Sequence, residues 1–259
     1  MTDLGDVAGH TALVTGAGDV GAEIALTLAR HNAGAVAVVD LDRERAEAVA
    51  AQVDATGGRG LAFTADITNA ESVAALADEV AARGQPFDIL VHNAGMPPGY
   101  FSSGRALQPF LETQPEDWQP LLRLNLDAIL LMTRAFVAPM LDGGWGRVIT
   151  IVSDAARTGD RNMAVYAAAK GAAAAFMRSL ATEVGPHGVT VNCISLGTLW
   201  RNPEPPDEQA LRRAARHYPL GRYGSTDDVA AMVTFLASES AGWITGQVYG
   251  VNGGYTYGL

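Results

Sequence analysis

The 259 residues predict a doubly wound α/β fold built on a parallel sheet. Three observations carry this. Short apolar runs of strand type alternate with helical patterns along the whole chain, a glycine-rich turn joins the first strand to the first helix, and no repeat, low-complexity tract or linker interrupts the rhythm. With 48% hydrophobic residues the chain can bury a large core, so one domain over residues 1–259 is expected.

His10 to Thr15 is the first strand, and the pattern AEIALTLARHN is the first helix. Between them stand Gly16, Gly18 and Gly21, with Asp19 and Val20 inside the loop. Strand, G-x-G-x-x-G and helix form the setting that a pyrophosphate needs. Gly16 permits a tight turn, Gly18 lets backbone N–H groups approach the phosphates, and Gly21 lets helix and strand pack closely. Ala35 to Val39 is the next strand and Asp40 ends it. A carboxylate there accepts hydrogen bonds from an adenosine ribose and repels a 2′-phosphate, which favours NAD over NADP, while Arg43 and Arg45 nearby pull the other way.

Gly60 to Ala65 reads as a third strand ending at Asp66-Ile67, residues 70–82 as a helix, and Phe87 to His92 as a fourth strand running into Asn93-Ala94-Gly95. Successive βα units with right-handed crossovers imply a parallel sheet, whose ligand crevice opens where the strand order reverses. Asn93 to Gly95 is the expected crevice floor. Residues 96–114 break the rhythm and read as a substrate wall or lid, or as a packed surface excursion. A helix over 115–141 follows, with Asn125 among leucines. A polar side chain there calls for a backbone or water partner, and a local break in the helix suits it. Val189 to Ser195 is a further strand, Gly197-Thr198-Leu199 opens a second substrate loop at 198–219 with a polar helix over 207–217, and helix 225–237 and strand 246–251 close the chain.

The stretch with most chemistry is Ser153 to Lys170. Tyr166 and Lys170 stand at i and i+4 in an alanine-rich helix and so share one face. A phenol of pKa ~10 is a poor base near neutrality. A cation about 4 Å away at an effective dielectric near 20 is worth roughly 4 kcal/mol, enough to draw the phenol toward working pH. Ser153, at the end of the run Val148 to Val152, would sit at the sheet's C-terminal edge and hydrogen-bond a substrate oxygen while Tyr166 exchanges the proton.

A net charge of -10 without a basic stripe argues against nucleic acid and anionic membrane as partners, and leaves an anionic cofactor in need of local positive charge. The single cysteine, Cys193, excludes an intramolecular disulfide and a thiolate zinc cluster, and the five histidines show no metal-ligating spacing, so no metal is expected. No stretch approaches the ~20 apolar residues of a membrane span, and the N-terminus has no signal-peptide pattern. A cytoplasmic protein acting on a small molecule is expected.

Taken together, Thr15-Gly16 through Gly21, Asp40, Asp66, Asn93-Ala94-Gly95, Asn125, Ser153, Tyr166 with Lys170, Pro219 to Arg222, and Ile244 to Gly254 closely resemble the short-chain dehydrogenase/reductase family over essentially the whole length. The resemblance implies a Rossmann-type parallel sheet of about seven strands with helices on both faces, and hydride transfer between a nicotinamide and a substrate carbon. It implies that Tyr166 is the acid/base, that Lys170 holds the nicotinamide ribose and lowers the tyrosine pKa, that Ser153 orients the substrate and that Asn125 supports a relay water. Glycine-loop residues Gly16 to Gly21 with Asp19 and Val20, then Asp40 and Leu41, Asp66 and Ile67, Asn93 to Gly95, and Gly197 to Leu199 would contact the cofactor. It also implies a homo-oligomer, tetramer or dimer, formed through helices 115–141 and 163–184, in keeping with the small residues Gly171 to Ala175.

The chain departs from the family pattern at several points. Its glycine loop is one residue shorter than usual, with Asp19 where a glycine is expected. His92 replaces an asparagine, Leu196 a proline, and Arg201 a threonine common at the carboxamide end. Ser153 to Arg157 looks like members that oxidise alicyclic hydroxyacyl-CoA esters. An acyl thioester is therefore the first expected substrate and a free alicyclic or steroid-like alcohol the second. Arg201, Arg212, Arg213 and Arg216 read either as a solvated face or as a receiver for CoA phosphates.

Overall fold

The computed structural model describes residues 4–100, 107–201 and 204–257. Seven parallel strands form one sheet in the order β3-β2-β1-β4-β5-β6-β7. They are β1 (Thr11–Thr15), β2 (Ala35–Asp40), β3 (Gly60–Thr64), β4 (Ile89–His92), β5 (Gly146–Ser153), β6 (Val189–Leu196) and β7 (Val248–Val251). This is the Rossmann-type arrangement the sequence predicts.

Both faces of the sheet are covered, and the period-2 alternation of each strand feeds both. Ala12 and Val14, Val36 and Val38, Ile89 and Val91, and Ile149 and Ile151 pack on one side. Leu13, Ala37 and Val39, Leu90, and Val148 and Val152 pack on the other. This explains why the strands read as continuous apolar runs. Helices α1 (Asp19–Arg30), α2 (Arg43–Ala55) and α10 (Thr226–Ala237) cover the first face. The second is covered by α3 (Ala70–Ala82), by the segment of α4 (Pro115–Leu122) and α5 (Ala128–Phe136), and by α8 (Ala164–Val184). Short helices α6 (Ala138–Gly143), α7 (Ala155–Thr158) and α9 (Glu208–His217) complete the chain.

Three expectations are corrected. The helix expected over 115–141 is broken twice. Residues Arg123–Asp127 form a π-helical turn around Asn125, and the chain breaks again before α6, where Pro139 has no amide N–H to extend α5. The last strand starts at Val248 because Gly246 takes φ +72° and donates its N–H to Val191 O, which makes it a turn residue. Strand β4 starts at Ile89, and just before it Asp88 binds the neighbouring β1, its N–H donating to Thr11 O at 3.0 Å and its carboxylate accepting the Thr11 N–H at 3.0 Å. Residues 101–106 and 202–203, within the two expected substrate loops, lie outside the described residues.

β1 and β4 are neighbours, and the chain leaves them toward opposite sides of the sheet. That switch point places the glycine loop after β1 beside Asn93 to Gly95 after β4. Asn93 ties them: its Nδ2 donates to Thr15 O at 3.0 Å and to Gly16 O at 3.2 Å, and its N–H donates to Thr15 Oγ1 at 3.1 Å.

Candidate active site

A cleft of about 1060 Å³ runs along the C-terminal edge of the sheet. Every cofactor-contact residue expected from the sequence, from Gly16 through Leu199, lines it, as do Ser153, Tyr166 and Lys170. Asn125 does not. It lies fully buried behind Gly95, where a Cβ would stand 3.1 Å from Asn125 Oδ1 and 2.9 Å from Lys170 Nζ.

The glycine-loop end fits a dinucleotide. Gly16 holds φ +86°, a conformation glycine adopts freely. A Cβ on Gly21 would meet Gly16 O at 1.8 Å, whereas one on Gly18 would meet nothing within 4 Å. Gly21 is thus fixed by packing and Gly18 leaves an open face. No side chain caps α1 at Gly18, so the first N–H groups of a twelve-residue helix remain for an anion. Asp19 occupies the first helical position and is exposed.

Asp40 is nine-tenths buried and already well used. Its Oδ2 accepts the Ala17 N–H at 2.7 Å, and its Oδ1 accepts the Asp42 N–H at 2.8 Å and Arg45 at 3.0 Å. The carboxylate therefore pins the glycine loop to the end of β2, and Arg45 enters the cleft lining beside it.

At the other end, Ser153 finishes β5 and Tyr166 and Lys170 occupy the first two turns of α8. Lys170 Nζ donates to Ile151 O at 2.8 Å and stands 5.8 Å from the centroid of the Tyr166 ring. Burial lowers the Lys170 pKa to about 8. Burial likewise raises the Tyr166 pKa, against the pull of a hydrogen bond from Ser153 and of the Arg201 charge. Arg201 is the cation that offsets this burial, and the Lys170 ammonium, which the sequence reading sets to lower the phenol, is turned to the Ile151 carbonyl.

The π-turn explains Asn125. Its Nδ2 donates to Leu121 O at 3.0 Å, a carbonyl the widened turn leaves available, while its Oδ1 is buried with no partner. A buried acceptor without a partner, near Lys170 and Gly95, is where a water would be retained.

Sequence reasoning missed Asp154, whose buried carboxylate accepts the Ser195 hydroxyl, Asn252 Nδ2 at 2.6 Å and Thr256 Oγ1 at 2.8 Å. It thereby fixes the end of β5 to β6 and to the C-terminal turn, one residue from Ser153. Also missed was a small hollow that shares Met96, Met163 and Tyr166 with the cleft and is walled by Phe110 stacked on Trp118, ring centroids 5.3 Å apart. No periodicity marks either feature. Arg212, Arg213 and Arg216 lie outside the cleft lining, and Arg212 pairs with Glu208 at 2.6 Å on the polar face of α9.

The profile of a family described as Enoyl-(Acyl carrier protein) reductase matches residues 16–256. A 3-oxoacyl-(acyl-carrier-protein) reductase from Synechocystis is 33% identical over 79% of each chain. The chain belongs to the short-chain dehydrogenase/reductase family. Its members near this sequence include a (2S)-((R)-hydroxy(phenyl)methyl)succinyl-CoA dehydrogenase subunit from Thauera aromatica, 34% identical over 78% of this chain and 79% of that one. A Beutenbergia cavernae structure with NADP bound at low occupancy is 34% identical, with a TM-score of 0.84, covering 98% of this chain and 99% of that one. The protein is accordingly an oxidoreductase of the short-chain type. Among the described residues no helix is long and apolar enough to cross a membrane, and no group of three or more His, Cys, Asp and Glu side chains could hold a metal.

Proposed function

We propose that this family member is an NAD-dependent oxidoreductase that interconverts a secondary alcohol and a ketone, with Tyr166 as the general acid/base. The observation that carries the reading is the meeting of Ser153, Tyr166 and Lys170 on the same cleft as an uncapped helix N-terminus behind a glycine loop. A bound nicotinamide supplies or accepts the hydride. Tyr166 gives or takes the proton at the substrate oxygen, and Ser153 donates a hydrogen bond to that oxygen. Lys170 orients a ribose from the floor of the cleft, and the Asn125 Oδ1 holds a water through which the proton reaches solvent.

Asp40 supports NAD, since a carboxylate at the end of β2 disfavours a 2′-phosphate; Arg45, 3.0 Å from it, supports NADP as the second reading. An acyl thioester is the first substrate class, in line with the thioester substrates named for the Synechocystis and Thauera relatives. A free alicyclic alcohol is the second, favoured by the aromatic-walled hollow beside Tyr166. The chain would work in the cytoplasm as a homo-oligomer, tetramer or dimer, on a small molecule and without nucleic acid.

A panel of secondary alcohols, ketones and hydroxyacyl thioesters assayed with NAD and NADP in parallel tests the reading. Absorbance change at the reduced-nicotinamide band, larger with NAD, is expected. Dinucleotide binding without turnover of any member would overturn it in favour of a non-catalytic binding protein.

A further inference from the structure

The charges lining the cleft are unevenly placed. Asp19, Asp40 and Asp66 gather at the glycine-loop end, where Arg45 is taken up by Asp40 at 3.0 Å and Asp42 at 3.2 Å. At the reaction end Lys170 is buried and committed to Ile151 O. Glu116 on α4 and Arg123 on the π-turn line the cleft as well. Arg201 stands on the loop after β6, two residues beyond Leu199. It is exposed, lines the cleft with Ser153 and Tyr166, and among the described residues makes no ion pair and no side-chain hydrogen bond.

The backbone just before Arg201 is held in place. Leu199 bridges to Gly224, and Trp200 donates its N–H to Gly224 O at 2.9 Å. The Trp200 indole donates to Glu204 O at 2.7 Å and stacks on Tyr223, ring centroids 5.7 Å apart. A guanidinium with free donors, carried next to a tethered stretch of chain, is suited to take a planar anion in two parallel hydrogen bonds. It shares the cleft lining with Ser153 and Tyr166 and its charge acts on the Tyr166 hydroxyl, so an anion it holds sits at the reaction end of the cleft. The phosphates of a CoA or carrier-protein thioester are separated from the carbon that reacts by the whole pantetheine arm and do not meet this condition. A carboxylate on the acyl or alicyclic part does.

Building on the alcohol–ketone reading, we infer that Arg201 is a specificity-determining residue that binds a free carboxylate of the substrate, close to the carbon at Tyr166. The substrate is then an oxo or hydroxy acid, with or without a thioester elsewhere, whose apolar body faces the hollow at Phe110 and Trp118.

Binding of 3-oxocyclohexanecarboxylate and of its uncharged carboxamide to the NAD-loaded protein tests this. A ketone with the oxidised dinucleotide does not react, so calorimetry reads affinity alone. For the wild type the acid should bind on the order of tenfold more tightly than the amide. Arg201→Gln should bring the two within about twofold, Arg201→Lys should keep part of the preference, and NAD should bind all three proteins equally. Equal affinity of wild type for acid and amide, or no binding of the acid, overturns the assignment. So does an Arg201→Gln protein whose lost affinity is for NAD, which would make Arg201 a cofactor contact. Failure of the hydride-transfer reading is seen separately, as absent turnover by a protein that still prefers the acid.

Discussion

His92 shows how one departure from the family pattern sets a property of the protein. It is buried beneath the cleft, its Nε2 is 3.0 Å from Thr133 Oγ1, and burial followed by the Lys170 charge lowers its pKa to about 3. Unfolded, the imidazole takes a proton near pH 6.5, so between those values the unfolded chain binds more protons than the folded one. Stability present above pH 6.5 is therefore lost as the pH falls. Comparing urea unfolding at pH 7 and pH 5, His92→Asn should lose less stability than the wild type, by about 2 kcal/mol. Equal losses would show that His92 does not titrate as its burial demands. The substitution was visible in the sequence, but its consequence was not, because burial and the nearness of Lys170 come from strands and helices far apart in the chain.

Among the elements, the β1–loop–α1 unit was legible almost residue by residue, since its spacing encodes turn, anion site and packing in one short motif. Gly21 tests that unit. Adding a methyl group puts a Cβ 1.8 Å from the Gly16 carbonyl, a backbone atom that cannot yield without moving the loop. Gly21→Ala should still fold, since the clash is confined to the glycine loop and the N-terminus of α1, yet bind NAD at least about tenfold more weakly by titration calorimetry. Wild-type affinity would mean the loop does not hold the dinucleotide. The helix over 115–141 was less legible. Its leucine pattern continues through Asn125, and the π-turn depends on an amide reaching Leu121 O from a position no periodicity marks. The break before α6 could have been read from Pro139. The small residues of α8 divide between two surroundings: Ala173 and Ala174 are buried in the core of their own chain, whereas Gly171 and Ala172 are half-buried and Ala175 is exposed.

In the whole molecule, two halves of one sheet meet at β1 and β4, and the site is divided between them. The glycine loop and Asp40 come from the first half, Ser153, Tyr166 and Lys170 from the second, and Asp154 ties the second half to the C-terminal turn. A net charge of -10 is compatible with an anionic cofactor because the uncapped N-terminus of α1 faces the cleft, and Arg45, Arg123, Lys170 and Arg201 line it among its carboxylates. The fold and the meeting of Ser153, Tyr166 and Lys170 on one cleft were readable because they are carried by ordered motifs. The contacts of Asp154 and the aromatic hollow were not, since each joins segments with no common pattern. The measurement that bears most directly on the account is the turnover of Tyr166→Phe beside its NAD affinity, on whichever alcohol the wild type oxidises. The account predicts a fall in kcat of roughly 10²–10⁴-fold with NAD binding unchanged; a variant that keeps the wild-type kcat would contradict it.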